Sequence, residues 1–277
     1  MEHLRLTHGS LTFPAIAAGP ADGDLVMLLH GFPQTSLAWS GQVAQLAAAG
    51  WRAVAPDLRG FAADAVPETV SEYTQERVRG DVFAIADQLG ADRFHLVGHD
   101  LGGIVAWDVA CRHPDRIRSL TVASTPHLAA FAAALDARRP PLPPFELFRQ
   151  PGVAEQALLG NGAAALRASF AGLDPAAIDH YVGHFSSRTI LTGGLSHFRA
   201  FDYADWRALP AATMPTLLIW GSDDPFLADS TARATGGHVT GPYTQARLDG
   251  IGHWVPELAL TQVTDLLAHQ LQTSRSG

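Results

Sequence analysis

The 277-residue sequence contains no lysine and only one cysteine, Cys111. All 19 positive charges are therefore arginines, and 27 acidic residues outnumber them, which gives a formal net charge of −8. Surfaces that bind nucleic acid carry an excess of positive charge, so no nucleic acid is expected as a partner. A single cysteine cannot form a disulfide within the chain, which is typical of a protein from a reducing compartment.

The sequence also lacks any apolar run long enough to cross a membrane. Its first residues show neither the basic nor the apolar segment of a signal peptide. We therefore expect a cytoplasmic protein that does not bind membranes. We further expect it to be either a monomer or a homodimer. Its 13 histidines are scattered rather than spaced as zinc ligands, so neither a metal site nor a cofactor is expected.

Short apolar runs alternate with helical patterns along most of the chain. The runs that predict strands are 25–30, 51–55, 93–97, 117–123, 216–220 and 244–248. The patterns that predict helices are 37–49, 75–89, 104–111 and 257–271. This alternation is typical of βαβ units and predicts an α/β protein with a mostly parallel central sheet flanked by helices.

The alternation stops between residues 126 and 209, where the sequence is rich in alanine and helical in character. Proline and glycine interrupt this segment at 138–144 and 160–162. A helical insertion after a strand lies beside the carboxyl ends of the sheet, where ligands bind in open α/β folds. We therefore expect a core domain of residues 1–125 and 210–277, and a helical cap of residues 126–209 inserted after the strand that ends near Ala123.

Residues 98–103 read Gly-His-Asp-Leu-Gly-Gly and lie between a predicted strand and a predicted helix. Small residues around such a turn allow a sharp bend that holds the central side chain exposed and strained. A serine in this position attacks carbonyl carbon. A carboxylate is instead suited to attack saturated electrophilic carbon and to form an alkyl ester, so Asp100 is a candidate nucleophile.

Two later segments supply the partners that a nucleophile needs. Ile-Trp-Gly-Ser-Asp-Asp-Pro at 219–225 follows a predicted strand, and Gly-Ile-Gly-His-Trp at 250–254 places His253 in a late loop. The order Asp100, then Asp223 or Asp224, then His253 is the chain order nucleophile, acid, base of a catalytic triad.

A third segment, His-Gly-Phe-Pro at 30–33, follows the first long predicted strand. The backbone N–H of Phe32 could pair with that of Leu101, the residue after the candidate nucleophile. Two such donors would form an oxyanion hole.

These segments, with Pro-Asp-Leu-Arg-Gly-Phe at 56–61 and Gln-Pro-Gly-Val-Ala-Glu at 150–155, resemble the epoxide hydrolase and dehalogenase group over nearly the whole chain. The resemblance implies the α/β-hydrolase fold and an aspartate nucleophile. Asp100 would open an epoxide or displace a halide, and water activated by His253 would then hydrolyse the ester. The family pattern Trp-Gly-x-x-Asp-Pro falls on Asp224, which the resemblance implies as the acid.

The resemblance weakens where the leaving group would bind. Epoxide hydrolases of this group carry two lid tyrosines that protonate the epoxide oxygen, whereas the matching segments here have Phe145 and Phe198. The nearest replacements are Tyr181 and His197, which are our candidate proton donors. Haloalkane dehalogenases place a tryptophan directly after the nucleophile, where this chain has Leu101.

We therefore predict a hydrolase, an epoxide hydrolase that acts with water on a small apolar epoxide. The alternatives are a haloalkane or haloacid dehalogenase, and a non-hydrolytic binding or cyclase-type protein on the same fold. Aromatic residues near the motifs are predicted to line the substrate pocket, namely Trp39, Phe145, Phe198, Phe226 and Trp254.

Overall fold

The computed structural model describes residues 1–137 and 143–275. Within these ranges eight strands form one sheet in the order β1-β2-β4-β3-β5-β6-β7-β8. Their bounds are β1 Glu2–His8, β2 Leu11–Ala18, β3 Leu25–Leu29, β4 Arg52–Pro56, β5 Phe94–His99, β6 Ile117–Ala123, β7 Thr216–Gly221 and β8 Tyr243–Leu248. From β4 to β8 in this order neighbouring strands are parallel, as predicted.

The N-terminal hairpin of β1 and β2 was missed by the sequence analysis. β1 pairs with β2, and β2 with β4, in antiparallel fashion. Leu6 is the one buried residue of β1, and Pro14 interrupts β2. Neither strand therefore shows the continuous apolar run of a strand buried on both faces.

The predicted helices are present, with shifted ends. The α-helices are α1 Ser40–Ala48, α2 Gln75–Gln88, α3 Leu101–Arg112, α4 Leu128–Ala137, α5 Pro143–Phe148, α6 Val153–Ser169, α7 Pro175–Phe185, α8 Arg188–Ala200, α9 Tyr203–Arg207, α10 Asp229–Ala234, α11 Val255–Leu258 and α12 Leu260–Arg275. The predicted helix 37–49 begins instead as a 3₁₀ turn, Ser36–Trp39. The predicted last helix is divided into α11 and α12.

The sheet is buried on both faces. Leu25, Met27 and Leu29 of β3 pack into the apolar cluster that contains the buried residues of α2 and α3. Val26 and Leu28 pack into a second cluster with α1 and α12. Successive side chains of a strand point to opposite faces, so the two clusters cover the two sides of the sheet.

Helices α4 to α9 lie between β6 and β7 and form the helical insertion. The backbone of α6 leaves helical geometry at 160–163, one residue beyond the interruption predicted at 160–162. A buried ion pair joins α6 to α8, with Arg199 Nη2 2.9 Å from Glu155 Oε1. The same carboxylate accepts hydrogen bonds from the Thr192 hydroxyl and the Gly152 N–H, so α8 and the start of α6 meet at one charge.

None of the helices in residues 1–137 and 143–275 is long and apolar enough to span a bilayer.

Candidate active site

Asp100 lies in the sharp turn between β5 and α3, with φ of +49° and ψ of −116°. The turn brings α3 so close to β3 that a Cβ on Gly102 would lie 2.3 Å from the carbonyl oxygen of Leu29. A Cβ on Gly31 would lie 2.7 Å from the Cβ of Asp100. A Cβ has no room at Gly102 because the β3 backbone lies against it, and none at Gly31 because the side chains of Asp100 and His99 fill that space.

Two groups contact the carboxylate of Asp100. The Phe32 N–H donates to Oδ1 at 2.8 Å, and Nε2 of His253 lies 3.3 Å from Oδ2. The Thr125 hydroxyl donates to the Asp100 carbonyl at 2.9 Å and steadies the turn. The side chain of Asp100 is 25% exposed, against 5% for His253 and 0% for Asp224, so a substrate can reach this carboxylate.

Asp224 holds His253 from the other side. Its Oδ2 lies 2.8 Å from Nδ1 of His253, while Oδ1 accepts hydrogen bonds from the N–H groups of Phe226 at 2.8 Å and Leu227 at 3.2 Å. Asp100 follows β5, Asp224 follows β7, and His253 follows β8. The three predicted residues meet because the carboxyl ends of these parallel strands lie at one edge of the sheet.

The three ionisable groups hold one another in the charged state. Burial disfavours the imidazolium, but the Asp224 charge and the hydrogen bonds to Asp100 and Asp224 outweigh it and raise the pKa of His253 to about 10. Burial likewise disfavours the carboxylates, yet His253 lowers the pKa of both Asp100 and Asp224. These shifts favour an imidazolium between two carboxylates.

Asp100 and His253 open into a cavity of about 330 Å³. Four of the aromatic residues predicted for the pocket border it, namely Phe145, Phe198, Phe226 and Trp254. Phe32, Phe131 and Phe148 add further rings. The polar lining side chains among the described residues are Asp100, Ser124, Thr125, Ser169 and His253.

The prediction for Trp39 is wrong. Trp39 ends the 3₁₀ turn before α1, is fully buried, and packs in the apolar cluster of α1 and α12. The aromatic cavity residues Phe32, Phe198 and Trp254 belong to the cluster on the other face. Trp39 therefore stabilises the core and does not touch the cavity.

The structure also corrects the two candidate proton donors. The Tyr181 hydroxyl donates to Glu257 Oε1 at 3.1 Å, behind the cavity wall. His197 Nε2 is 2.6 Å from the Arg59 carbonyl, and burial lowers the pKa of His197 to about 4. Successive residues of a helix are turned by about 100°, so α8 can present Phe198 or His197 to the cavity, and it presents Phe198.

Comparison with known proteins identifies the family, because residues 24–259 match the alpha/beta hydrolase fold. The chain belongs to this family. Epoxide hydrolase A of Mycobacterium tuberculosis is 30% identical in an alignment that covers 91% of each chain. Epoxide hydrolase 4 of Mus musculus is 30% identical over 92% of this chain and 75% of that protein. The crystal structure of Epoxide Hydrolase A from Mycobacterium thermoresistibile has a TM-score of 0.87 and 28% identity, and covers 98% of both chains.

The α/β-hydrolase prediction is therefore confirmed, and the chain is a hydrolase. In this fold the N–H of the residue after the nucleophile is one donor of the oxyanion hole. The residue after Asp100 is Leu101, the first of α3, where a helix leaves its N–H without an intrahelical partner. The second predicted donor, Phe32, already contacts Asp100.

Sequence reasoning missed the groups that position the hydrolase histidine. The Ser124 hydroxyl donates to the His253 carbonyl at 3.0 Å, and His99 Nε2 lies 2.9 Å from the same oxygen. Ser124 directly follows β6 and His99 ends β5. Their place at the carboxyl ends of strands beside Asp100 is the signal that could have indicated them.

Proposed function

We propose that this hydrolase is an epoxide hydrolase that uses Asp100 as its nucleophile. The observation that carries the proposal is the pair of contacts on the Asp100 carboxylate, with the Phe32 N–H on one oxygen and His253 Nε2 beside the other. The named epoxide hydrolases among its relatives support the same activity. Attack on a strained ring carbon would leave an alkyl ester on Asp100, which water can hydrolyse.

The two carboxylate oxygens would have different tasks. Oδ2, beside His253, attacks the ring carbon, and Oδ1, held by Phe32, becomes the ester carbonyl oxygen. In the second step neutral His253 takes a proton from water, and the water attacks the ester carbon. The N–H groups of Phe32 and Leu101 stabilise the negative charge that then develops on Oδ1.

The substrate class follows from the cavity lining. Rings of Phe32, Phe148, Phe198 and Trp254 surround the space beside Asp100, and ring pairs such as Phe32 and Phe198 meet edge to face at 5.3 Å. Apolar walls of this kind stabilise a hydrophobic ligand through its buried surface. We therefore assign an apolar epoxide as the substrate, with the helices of residues 126–209 as the cap that encloses it.

The lining favours an epoxide over a halide. Halide binding requires N–H donors that point into the cavity, and the indole N–H of Trp254 donates instead to the Ser169 carbonyl at 2.9 Å. Leu101 and Phe32 offer only apolar side chains. The intact contact between His253 and Asp224 also favours hydrolysis over a binding or cyclase-type role, because only the hydrolytic step needs a base oriented in this way.

Single turnover in heavy-oxygen water tests the proposal. We expect the label to enter the Asp100 carboxylate, since water attacks the ester carbonyl, and mass analysis of the peptide that contains Asp100 measures it. Turnover of an epoxide with an unlabelled Asp100 would rule out the ester. Asp100→Asn preserves the size of the side chain and should abolish hydrolysis while the apolar ligand still binds.

A further inference from the structure

Opening an epoxide leaves an alkoxide that must gain a proton, and the cavity lining offers few sources. The three hydroxyls that line it, on Ser124, Thr125 and Ser169, each donate to a backbone carbonyl at distances between 2.7 and 3.0 Å. The indole N–H of Trp254 is bound to the Ser169 carbonyl. Each of these hydrogens is already engaged in a structural hydrogen bond.

The epoxide hydrolase pattern that this chain resembles uses lid tyrosines as the acids. The tyrosines of this chain all make other contacts. Of the four in the sequence, none lines the cavity. Tyr73 donates to the Pro67 carbonyl, Tyr181 donates to Glu257, Tyr203 lies under the Arg149 guanidinium, and Tyr243 accepts a hydrogen bond from Gln245. The sequence of residues 138–142 and 276–277, outside the described ranges, contains no tyrosine, histidine or acidic side chain.

Among the described residues that line the cavity, His253 remains as the side chain with an acidic N–H. The charged or titratable groups that face it are Asp224, Asp100 and His99. Burial and the charge of His253 lower the pKa of His99 to about 4, so His99 is neutral. The rings of Phe226 and Trp254 pack edge to face against His253, and its Nε2 lies 3.3 Å from Asp100 Oδ2 at the cavity lining.

We propose that the His253 imidazolium protonates the leaving oxygen in the first step and so replaces the lid tyrosines. This inference rests on the proposed epoxide hydrolase function. A bond forms between Asp100 Oδ2 and the ring carbon while the bond from that carbon to oxygen breaks. The electron pair of the broken bond stays on the oxygen, which leaves on the face of the carbon away from Asp100 and takes the Nε2 proton through one water molecule.

The proton count closes over both steps. Proton donation leaves neutral His253, with its Nδ1–H held by Asp224 and a lone pair on Nε2. That lone pair takes a proton from the attacking water and restores the imidazolium. When the ester collapses, the leaving alkoxide takes the remaining proton of the Asp100 carboxyl. The diol departs and the resting ion pair is restored.

Two electrophiles of similar size distinguish this role from a structural one. Styrene oxide needs a proton as its ring opens, whereas benzyl bromide loses bromide without one. In a single turnover of His253→Gln, we expect formation of the Asp100 ester to slow by about 10²- to 10⁴-fold with styrene oxide, but by less than tenfold with benzyl bromide. Equal losses with both compounds, or no loss with styrene oxide, would overturn the proposal.

The pH dependence of ester formation in the unmutated enzyme gives a second measurement. With styrene oxide the rate should fall tenfold per pH unit above the pKa of His253, because the imidazolium is lost. A rate that stays flat from pH 7 to 11 would refute the assignment. If the unmutated enzyme forms no ester from styrene oxide at any pH, the nucleophile proposal itself fails.

A gain of function completes the test. Phe198 borders the cavity. In the epoxide hydrolase pattern that this chain resembles, the same position holds a tyrosine. Phe198→Tyr added to His253→Gln should restore ester formation from styrene oxide at least tenfold. Phe201→Tyr is the matched control, because Phe201 packs against the Phe198 ring but does not border the cavity, and it should restore nothing.

Discussion

Replacement of Asp224 by asparagine would reverse the proton arrangement of His253. The N–H groups of Phe226 and Leu227 both donate to Oδ1 of Asp224. In the variant they hold the amide oxygen at the Oδ1 position, so the NH₂ group takes the position of Oδ2, 2.8 Å from His253 Nδ1. Nδ1 must then accept a hydrogen bond. Neutral His253 consequently carries its proton on Nε2 and has no lone pair for the attacking water.

The two steps of the reaction should respond differently. Ester hydrolysis needs the Nε2 lone pair and should slow by about 10³- to 10⁴-fold, as expected when a catalytic base is held in the wrong tautomer. That loss corresponds to a barrier increase of about 4–5 kcal/mol at 1.36 kcal/mol per tenfold. Ester formation from benzyl bromide needs no proton and should slow by less than tenfold, whereas ester formation from styrene oxide loses the imidazolium as its acid and should slow strongly as well.

Rapid mixing with benzyl bromide followed by mass analysis of the Asp100 peptide measures both steps, and the alkyl ester should accumulate within the first turnover. Asp223→Asn is the matched control, since Asp223 is exposed and its carboxylate accepts a hydrogen bond from the neighbouring Ser222 hydroxyl. Its rates should remain within twofold of the unmutated enzyme. An Asp224→Asn enzyme that hydrolyses its ester less than tenfold more slowly would refute the tautomer argument.

Three further predictions concern stability and are measured by urea unfolding. Gly102→Ala places a Cβ 2.3 Å from the Leu29 carbonyl and should destabilise the fold by about 3 kcal/mol; an unchanged midpoint would contradict the close approach. Arg199→Met leaves the buried Glu155 carboxylate without its ion-pair partner and should lower the free energy of unfolding by about 3–5 kcal/mol. Arg188→Met, at an exposed position at the start of the same helix, is its control. The pKa of His253 is raised from 6.5 to about 10, so protonated His253 should contribute fully to the free energy of unfolding below pH 6.5. This contribution should be lost between pH 6.5 and 10. The free energy of unfolding should then fall by on the order of a few kcal/mol relative to that of His253→Gln.

The sequence predicted the parts of this molecule that local chain geometry determines. Buried parallel strands appear as continuous apolar runs, so β3 to β7 were found with their ends shifted by at most two residues. The weaker pattern of the half-exposed β8 was found with its start shifted by one residue. The elbow requires small residues on both sides of Asp100, and the carboxyl ends of parallel strands share one edge. Asp100, His253 and the pair Asp223 and Asp224 could therefore be brought together from the sequence, and the family resemblance selected Asp224.

The cavity wall depends instead on how helices of the insertion rotate about their axes. Single residues decide which face of a helix is buried, and sequence pattern did not separate His197 from its neighbour Phe198. Tyr181 does not line the cavity, and its hydroxyl donates to the half-buried Glu257 carboxylate, a contact between residues 76 positions apart. The sequence around Trp39 did not indicate which face of the sheet it packs against, since both faces are apolar.

The missing lid acid and the strongly paired histidine have a common consequence. A general base with its pKa raised to about 10 would be protonated at neutral pH and unable to activate water in the resting enzyme. It becomes a base only if the first step removes its proton, and ring opening of an epoxide consumes one proton. The charge of Asp100 disappears in the same step, because the carboxylate becomes an ester, and the pKa of His253 must then fall. The carboxylate that keeps His253 protonated before attack therefore releases it as a base afterwards, so a single histidine can serve both steps without a tyrosine.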